Sequence, residues 1–120
     1  MIDQQETRQW VESMFHAIDT ASWKDLLSFF HPDIVYERPG YPDFCGSDAL
    51  LHFYRDTRIV AEGSHSLTSV LADDHHAICW GKFKGRSKTG DDLAEGFADA
   101  YELRDGLIFK RTTYFFRAAI

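Results

Sequence analysis

Residues 97–108, FADAYELRDGLI, predict a β-hairpin that carries a carboxylate on its apolar face. Asp105-Gly106 is typical of a two-residue turn, and the run that follows it is rich in β-branched and aromatic residues. Two-residue alternation places Asp99 on the same face as Phe97 and Tyr101. Because burying an unpaired charge is costly, Asp99 is the first candidate functional residue.

Two interpretations of Asp99 stay open at this point. Its carboxyl group transfers a proton or donates a hydrogen bond inside a pocket, or it is held structurally by an arginine or a backbone amide. Perturbed carboxyl groups occur both at active sites and in structural ion pairs. Arg38 is the candidate structural partner.

The second half of the chain predicts an antiparallel meander of four strands, over residues 64–71, 77–84, 93–103 and 107–117. Turn residues separate the first three strands, at 73–75 and 88–91.

Alternation along two of these strands predicts which side chains share a face. In residues 77–84, Trp80 lies on one face and Phe83 on the other, and the sequence does not decide which face is inward. If Trp80 faces outward, it is a candidate dimer contact. In the last strand, Tyr114 and Phe116 share the face of Ile108, which predicts that both belong to the core.

The first half predicts helices around one strand. An apolar stripe from Trp10 to Ile18 indicates a first helix that ends near Asp19. A capping box at residues 22–25 opens a second helix that continues through Phe30. Residues 34–38 predict a strand, and a third helical region begins at Ser47-Asp48 and closes at Gly63. Helices on one face of an antiparallel sheet are the α+β class, and a strongly curved sheet leaves a hollow beneath them.

Composition limits the partners of the protein. The 120 residues carry a formal charge of −6 and no basic stripe, which opposes binding to nucleic acid. We expect one domain over residues 1–120, with no signal peptide and no membrane span, and therefore a cytoplasmic protein. Cys45 and Cys79 have no metal or redox spacing, so no metal site is predicted. Aromatic residues make up 15% of the chain, and some of them are expected to line a cavity.

The order of elements, together with residues 36–40 (YERPG) and 97–108, resembles the SnoaL-like branch of the superfamily that groups nuclear transport factor 2 with ketosteroid isomerase. This resemblance implies a cone-shaped α+β fold, the NTF2-like fold, with a curved, mostly antiparallel sheet and three helices from the N-terminal half around a pocket. It also implies frequent dimerisation through the outer sheet face. Members include isomerases, polyketide cyclases, epoxide hydrolases and dehydratases, besides proteins with no known chemistry.

The sequence departs from the ketosteroid isomerase pattern at two positions. Asp99 matches a carboxylic acid that donates a hydrogen bond to the substrate oxyanion, but Met14 stands at the catalytic tyrosine position and Arg38 at the general-base position. Because that reaction needs both a base and paired donors, steroid isomerisation by this route is not expected. The resemblance is nearer to SnoaL-like cyclases, in which an aspartate of this kind acts as general acid/base without a cofactor.

Further site candidates are predicted on the strands and the third helix. Tyr36 and Arg38 share a face, so they either stabilise a substrate oxygen or form ordinary structural contacts. His65 shares the face of Leu67 and Ser69, and it is either the proton-transfer partner of Asp99 or a solvated histidine at the strand end. Aromatic walls of a pocket are expected from Phe53, Tyr54, Phe83 and Phe97.

These residues lead to one hypothesis and two alternatives. The leading hypothesis is a cofactor-independent enzyme that acts on a small hydrophobic carbonyl, enol or epoxide metabolite, with Asp99, His65 and Tyr36 as catalytic residues. Arg38 and the four aromatic residues would bind the substrate. The alternatives are a non-catalytic dimeric binding module for an apolar small molecule, and a structural dimerisation module with a filled cavity and an Asp99–Arg38 pair. A homodimer through the outer sheet face is expected in each case.

Overall fold

The computed structural model describes residues 3–116, which form three α-helices, one π-helical turn and six strands. In chain order these are α1 (Gln4–Asp19), α2 (Trp23–Leu27), β1 (Phe30–Glu37), β2 (Phe44–Cys45), α3 (Ser47–His52), the π-helical turn (Phe53–Thr57), β3 (Val60–Ala72), β4 (His76–Ser87), β5 (Asp92–Arg104) and β6 (Leu107–Phe115).

All six strands belong to one sheet in the order β2-β1-β6-β5-β4-β3. Its pairs are antiparallel except for β1 and β6, which run parallel. The predicted fold class is therefore confirmed: the sheet is curved and mostly antiparallel, with the helices of the first half packed against it. Within residues 3–116, no helix has the length and apolar character needed to cross a bilayer.

Helix α1 covers the edge strand β3 and protects its backbone. The predicted apolar stripe is buried except for Trp10, which is half-buried, and polar side chains on the helix bond to the free backbone groups of the edge. Gln4 Nε2 donates to the Ala72 carbonyl at 2.8 Å, and Arg8 Nη2 donates to the Leu67 carbonyl at 2.9 Å. At the other end of α1, the Asp19 carboxylate accepts from the backbone N–H of His65 at 2.8 Å. These contacts fix the position of α1 against β3.

A bulge in β6 changes which of its residues face inward. Glu102 pairs with Lys110 while Leu103 pairs with Ile108, so Phe109 is an extra residue in the ladder. Ile108 and Arg111 are consequently both buried, although they are three positions apart. The prediction that Tyr114 and Phe116 share the buried face of Ile108 is wrong, because their side chains are 59% and 90% exposed.

A second bulge interrupts β3. Leu67 pairs with Gly81 and Ser69 pairs with Trp80, which leaves Thr68 unpaired. His65 therefore shares the inner face with Leu67, but Ser69 lies on the outer face, contrary to the prediction. On β4 the small residues and Phe83 are buried, while Trp80 lies on the outer face and is 39% exposed.

Three boundaries in the helical half were predicted wrongly. Helix α2 ends at Leu27, and Phe30 instead opens β1, where it is buried and pairs with Ile108. Gly63 lies inside β3, opposite Gly85, rather than at the end of a helical region. The loop predicted after β1 contains the short strand β2.

The end of the last strand also differs from the prediction, which placed it at Arg117. Strand β6 ends at Phe115, and Arg117 lies outside the described residues.

Candidate functional site

The carboxylate of Asp99 is buried at the centre of β5, as predicted, with 1% of the residue exposed. Arg111 donates to Oδ2 from both Nε and Nη2 at 2.9 Å, and the Tyr101 hydroxyl donates to the same oxygen at 2.8 Å. The Thr113 hydroxyl donates to Oδ1 at 2.6 Å. Since a carboxylate oxygen has two lone pairs, Oδ1 keeps room for one more donor. The ion-pair partner of Asp99 is therefore Arg111, and not Arg38 as the sequence predicted.

The register of the last hairpin assembles this cluster. Asp99 lies opposite Thr113, and Tyr101 lies opposite Arg111. The bulge at Phe109 is what turns Arg111 inward, toward the carboxylate. The two strands therefore supply the ion pair and its hydrogen bonds within one continuous piece of chain.

Arg111 stays charged in this buried position. Burial by itself would lower the pKa of Arg111, but the Asp99 carboxylate outweighs this effect and the pKa is raised well above its ordinary value. Nη1 of Arg111 also donates to the Tyr54 hydroxyl at 2.6 Å. Burial raises the pKa of Tyr54 to about 12, so its hydroxyl is neutral at physiological pH.

Tyr36 connects Arg38 to Asp99 through a chain of hydrogen bonds. Because Thr113 uses its proton on Asp99, the Tyr36 hydroxyl, 2.8 Å from Thr113 Oγ1, is the donor in that contact. Tyr36 in turn accepts from Arg38 Nη1 at 2.9 Å. All the donors therefore point one way, from Arg38 toward the carboxylate. Tyr36 lies in β1 and Arg38 directly follows it, and their contact places them on the same side, as the alternation predicted.

His65 is held by a carboxylate that the sequence did not associate with it. Its Nδ1 lies 2.5 Å from Asp19 Oδ1. Since a carboxylate only accepts, Nδ1 carries the proton and Nε2 keeps its lone pair. The imidazole packs against the rings of Phe15 and Phe83, with centroids 4.6 and 4.7 Å away. Burial lowers the pKa of His65, and the hydrogen bond that it donates to Asp19 only partly opposes this, so the imidazole is neutral at pH 7.

A cavity joins His65 to the Asp99 cluster. Six predicted site residues line it: Arg38, Tyr54, His65, Phe83, Phe97 and Asp99. Tyr36 and Phe53, also predicted, are buried behind this wall. The space free of atoms, including the mouth of the cavity, is about 370 Å³. The part of it that the centre of a water molecule can occupy is only about 20 Å³, which is about the room for one water. A larger guest would have to displace side chains.

An open groove of about 580 Å³ lies between α1 and β3 and also touches the Asp19–His65 pair. Its other walls are mostly polar residues such as Glu12, Ser13 and Ser66. The groove is larger than the cavity, but neither Asp99 nor Arg111 lines it. The cavity is therefore the place where several candidate groups meet.

Sequence reasoning missed six residues of the cavity wall: Phe15, Arg58, Val60, Arg111, Thr113 and Phe115. Arg111 was hidden by the bulge, which simple alternation does not detect. Asp19 was also missed as the partner of His65, although one signal was present: a carboxylate at the C-terminal end of α1 opposes the helix dipole and so calls for another partner. Within the described part of the chain, no three His, Cys, Asp or Glu side chains converge as metal ligands.

Comparison with known proteins identifies a sequence family and a common fold. The model of the SnoaL-like domain family matches residues 11–111. No curated protein matches the sequence. Similar solved structures include an NTF2-like protein of unknown function from Burkholderia pseudomallei, which is 14% identical with a TM-score of 0.79. The aligned region covers 90% of this chain and 88% of that protein.

Two other similar structures have descriptions that name a chemistry or a ligand. An LEH-like epoxide hydrolase from M. tuberculosis is 17% identical with a TM-score of 0.78, and 93% of this chain covers 84% of it. TerC, co-crystallised with polyporic acid, is 15% identical with a TM-score of 0.74, and 85% of each chain is covered. At these identities the likeness concerns the fold.

Proposed function

Because the chain belongs to the SnoaL-like family, we propose that it is a cofactor-independent general acid/base enzyme for a small carbonyl, enol or epoxide compound. His65 is the group that moves the proton. The observation that carries the proposal is the 2.5 Å contact between His65 Nδ1 and Asp19, in the wall of the cavity that also holds Asp99.

Asp19 prepares His65 for this role in two ways. The carboxylate fixes the tautomer, so the free lone pair is on Nε2, and it stabilises the imidazolium that forms when Nε2 takes a proton. The three neighbouring rings of Phe15, Phe83 and Phe97 hold the imidazole in place. A neutral, oriented imidazole is the form that a general base requires.

The Asp99 cluster supplies fixed charge in the same cavity. Oδ1 of Asp99 can accept one hydrogen bond from a substrate hydroxyl, and Arg111 keeps the carboxylate in place. Tyr36 acts as a positioning residue, because it reaches Asp99 only through Thr113. Arg38 lines the cavity and is the group proposed to stabilise a developing oxyanion.

Two of the similar solved structures support the substrate class. One similar structure is described as an LEH-like epoxide hydrolase, and another was crystallised with polyporic acid. Epoxide opening and reactions of enols both begin or end with proton transfer to oxygen or carbon, which a single His–Asp pair can perform. Because such a compound is larger than the one water molecule that the cavity has room for, side chains of the wall must change rotamer when it binds.

Proton abstraction from 5-nitrobenzisoxazole tests the proposal without knowledge of the natural substrate. A base takes the ring C–H proton, the N–O bond breaks, and a coloured cyanophenolate forms, so no cofactor is required. We expect saturable turnover that exceeds the rate with free imidazole at equal concentration and pH. If the protein is no faster than imidazole and also leaves a panel of aromatic polyketides, terpenoids and epoxides unchanged by mass spectrometry, the proposed function is wrong.

A non-catalytic binding module is the second candidate, and the number of protein donors already bound to Asp99 favours it. Four donor contacts to one buried carboxylate are typical of a structural anchor as well as of a site. In that case the same compounds would raise the melting temperature in proportion to their concentration and be recovered intact.

We also propose that the protein forms a dimer through the outer face of the sheet. Leu71, Ile78, Trp80 and Tyr114 are exposed there, and the small residues Ala98 and Ala100 lie between them in the ladder. Such a patch is apolar, rich in aromatic area and able to pair with a second copy of itself.

Replacing Ile78 with glutamate is expected to shift the protein from dimer to monomer, because it places charge at the centre of the patch. Sedimentation equilibrium at micromolar concentration measures the change. Ile59→Glu is the matched control, since Ile59 is 43% exposed against 45% for Ile78 but lies at the opposite end of the β3–β4 hairpin. A wild-type monomer, or equal dissociation in both variants, would refute the interface.

A further inference from the structure

Arg58 is a cation in the cavity wall with a buried hydrogen-bond donor that is not satisfied. It follows the π-helical turn, and its guanidinium lies over the ring of Tyr54, 5.2 Å from the centroid. Its Nε is buried and has no hydrogen-bond partner among residues 3–116. Arg111, in the same wall, uses its donors on Asp99 and Tyr54. A buried donor without an acceptor is costly, so this one calls for a partner that enters from outside.

The charge of the cavity wall indicates that this partner is negatively charged. The guanidinium groups of Arg58 and Arg111 both line the cavity, and Asp99 is the carboxylate among its lining residues. That carboxylate is already in contact with Arg111. Burial lowers the pKa of Arg58, and the electrostatic effects of Tyr54 and Asp19 oppose this only in part. The positive field of the wall therefore exceeds what its own acid can balance.

We infer that the cavity binds an organic anion, and that the Arg58 guanidinium pairs with its carboxylate or enolate oxygens. The anion is a substrate only if the proposed function holds, and in that case the inference adds the charge of the substrate. A guanidinium presents a planar fork of donors that fits two oxygens, and such charge-assisted hydrogen bonds are about twice as strong as neutral ones. The rings of Phe83, Phe97 and Phe115 suit an aromatic or flat apolar body behind the anionic end.

Binding of the anion at Arg58 would also orient the substrate relative to His65. With its oxygens at Arg58, the body of the compound lies in the cavity that His65 lines. Arg58 then works as a specificity residue that selects and orients the substrate, while proton transfer stays with His65. Binding of the anion is for this reason separable from turnover.

Two isosteric probes test the charge selection by titration calorimetry: 2-naphthoate, which is an anion at pH 7, and 2-naphthamide, which is neutral. We expect wild-type protein to bind the anion at least about tenfold more tightly than the amide. Arg58→Met should abolish this ratio. Arg55→Met is the matched control, because Arg55 lies three residues earlier, is exposed, and forms a surface pair with Asp56 at 3.1 Å; the ratio should survive that change.

The test separates the two proposals and guards against a misfolded variant. Arg58→Met should be no less stable to urea than wild type, since it removes an unsatisfied buried donor, and Arg58→Lys should keep part of the anion preference. His65→Gln should lose turnover and keep the preference for 2-naphthoate. Equal binding of the two probes, binding of neither, or an unchanged ratio in a folded Arg58→Met variant would each overturn the anion site, whatever the outcome for turnover.

Discussion

Replacing Arg111 with methionine is expected to lower the free energy of unfolding by about 3–5 kcal/mol. Asp99 and Arg111 are 1% and 2% exposed, so the carboxylate would be left buried without its counter-ion. The Tyr101 and Thr113 hydroxyls would still donate to it, but neither carries charge. Urea unfolding followed by tryptophan fluorescence measures the loss.

An exposed ion pair on the same sheet is the control for Arg111. Arg86 lies 3.6 Å from Asp92, and both side chains are largely in water. Arg86→Met should therefore change the free energy of unfolding by less than about 1 kcal/mol. The double variant Asp99→Asn/Arg111→Met should recover part of the loss, because it removes both charges. If Arg111→Met is as stable as Arg86→Met, the buried ion pair is not the anchor of this hairpin.

Replacing His65 with glutamine is expected to reduce turnover of 5-nitrobenzisoxazole by a factor of about 10²–10⁴, the range that a positioned general base contributes. Glutamine can still donate a hydrogen bond to Asp19, so the fold should persist, but it cannot take the proton. His52→Gln is the matched control, because His52 forms a similar histidine–carboxylate pair with Asp56, at 3.1 Å, on the exposed surface. It should leave turnover unchanged.

The pH dependence gives a second measurement on His65. Burial lowers the pKa of this imidazole below its ordinary value of 6.5, and Asp19 opposes this only in part, so the base stays unprotonated to lower pH than a free histidine. The acid limb of kcat/KM should consequently have its midpoint below pH 6.5. Asp19→Asn removes a group that raises the pKa of His65, so the limb should move to still lower pH while the maximal rate falls. A midpoint at or above 6.5, or undiminished turnover in His65→Gln, would exclude His65 as the base.

The free energy of unfolding should also depend on pH through the protonation of His65. The folded protein holds His65 with a lowered pKa, so the unfolded chain binds a proton more readily. This group therefore stabilises the fold above the pKa of an unfolded histidine, and that contribution is lost as the pH falls through the lowered value.

Local patterns were sufficient for most of the architecture. The Asp105-Gly106 turn, the alternation around Asp99 and the helical stripe of α1 each depend on residues that are near in sequence, and the structure has all three. The burial of Asp99 could be predicted for the same reason. Propensity failed where tertiary pairing outweighed it: Phe30 leaves the predicted helix because pairing with Ile108 buries its ring.

The site itself depended on features that alternation does not contain. A single bulged residue, Phe109, turned Arg111 inward and gave Asp99 a different partner from the expected Arg38. A second bulge at Thr68 moved Ser69 to the outer face while His65 stayed inward. Bulges depend on how two strands fit the curvature of the whole sheet, so they are set by distant contacts rather than by the local period.

By itself, the sequence determined the α+β class, the hairpin at Asp105-Gly106 and a buried carboxylate, because these follow from local periodicity and the cost of burying charge. Only the tertiary structure decided that Asp99 pairs with Arg111, that Asp19 at the end of α1 holds His65 on β3, and that Arg58 enters the same wall. Asp19 and His65 are 46 residues apart, and nothing in the spacing of two such residues encodes a contact that exists only when the helix lies across the edge strand.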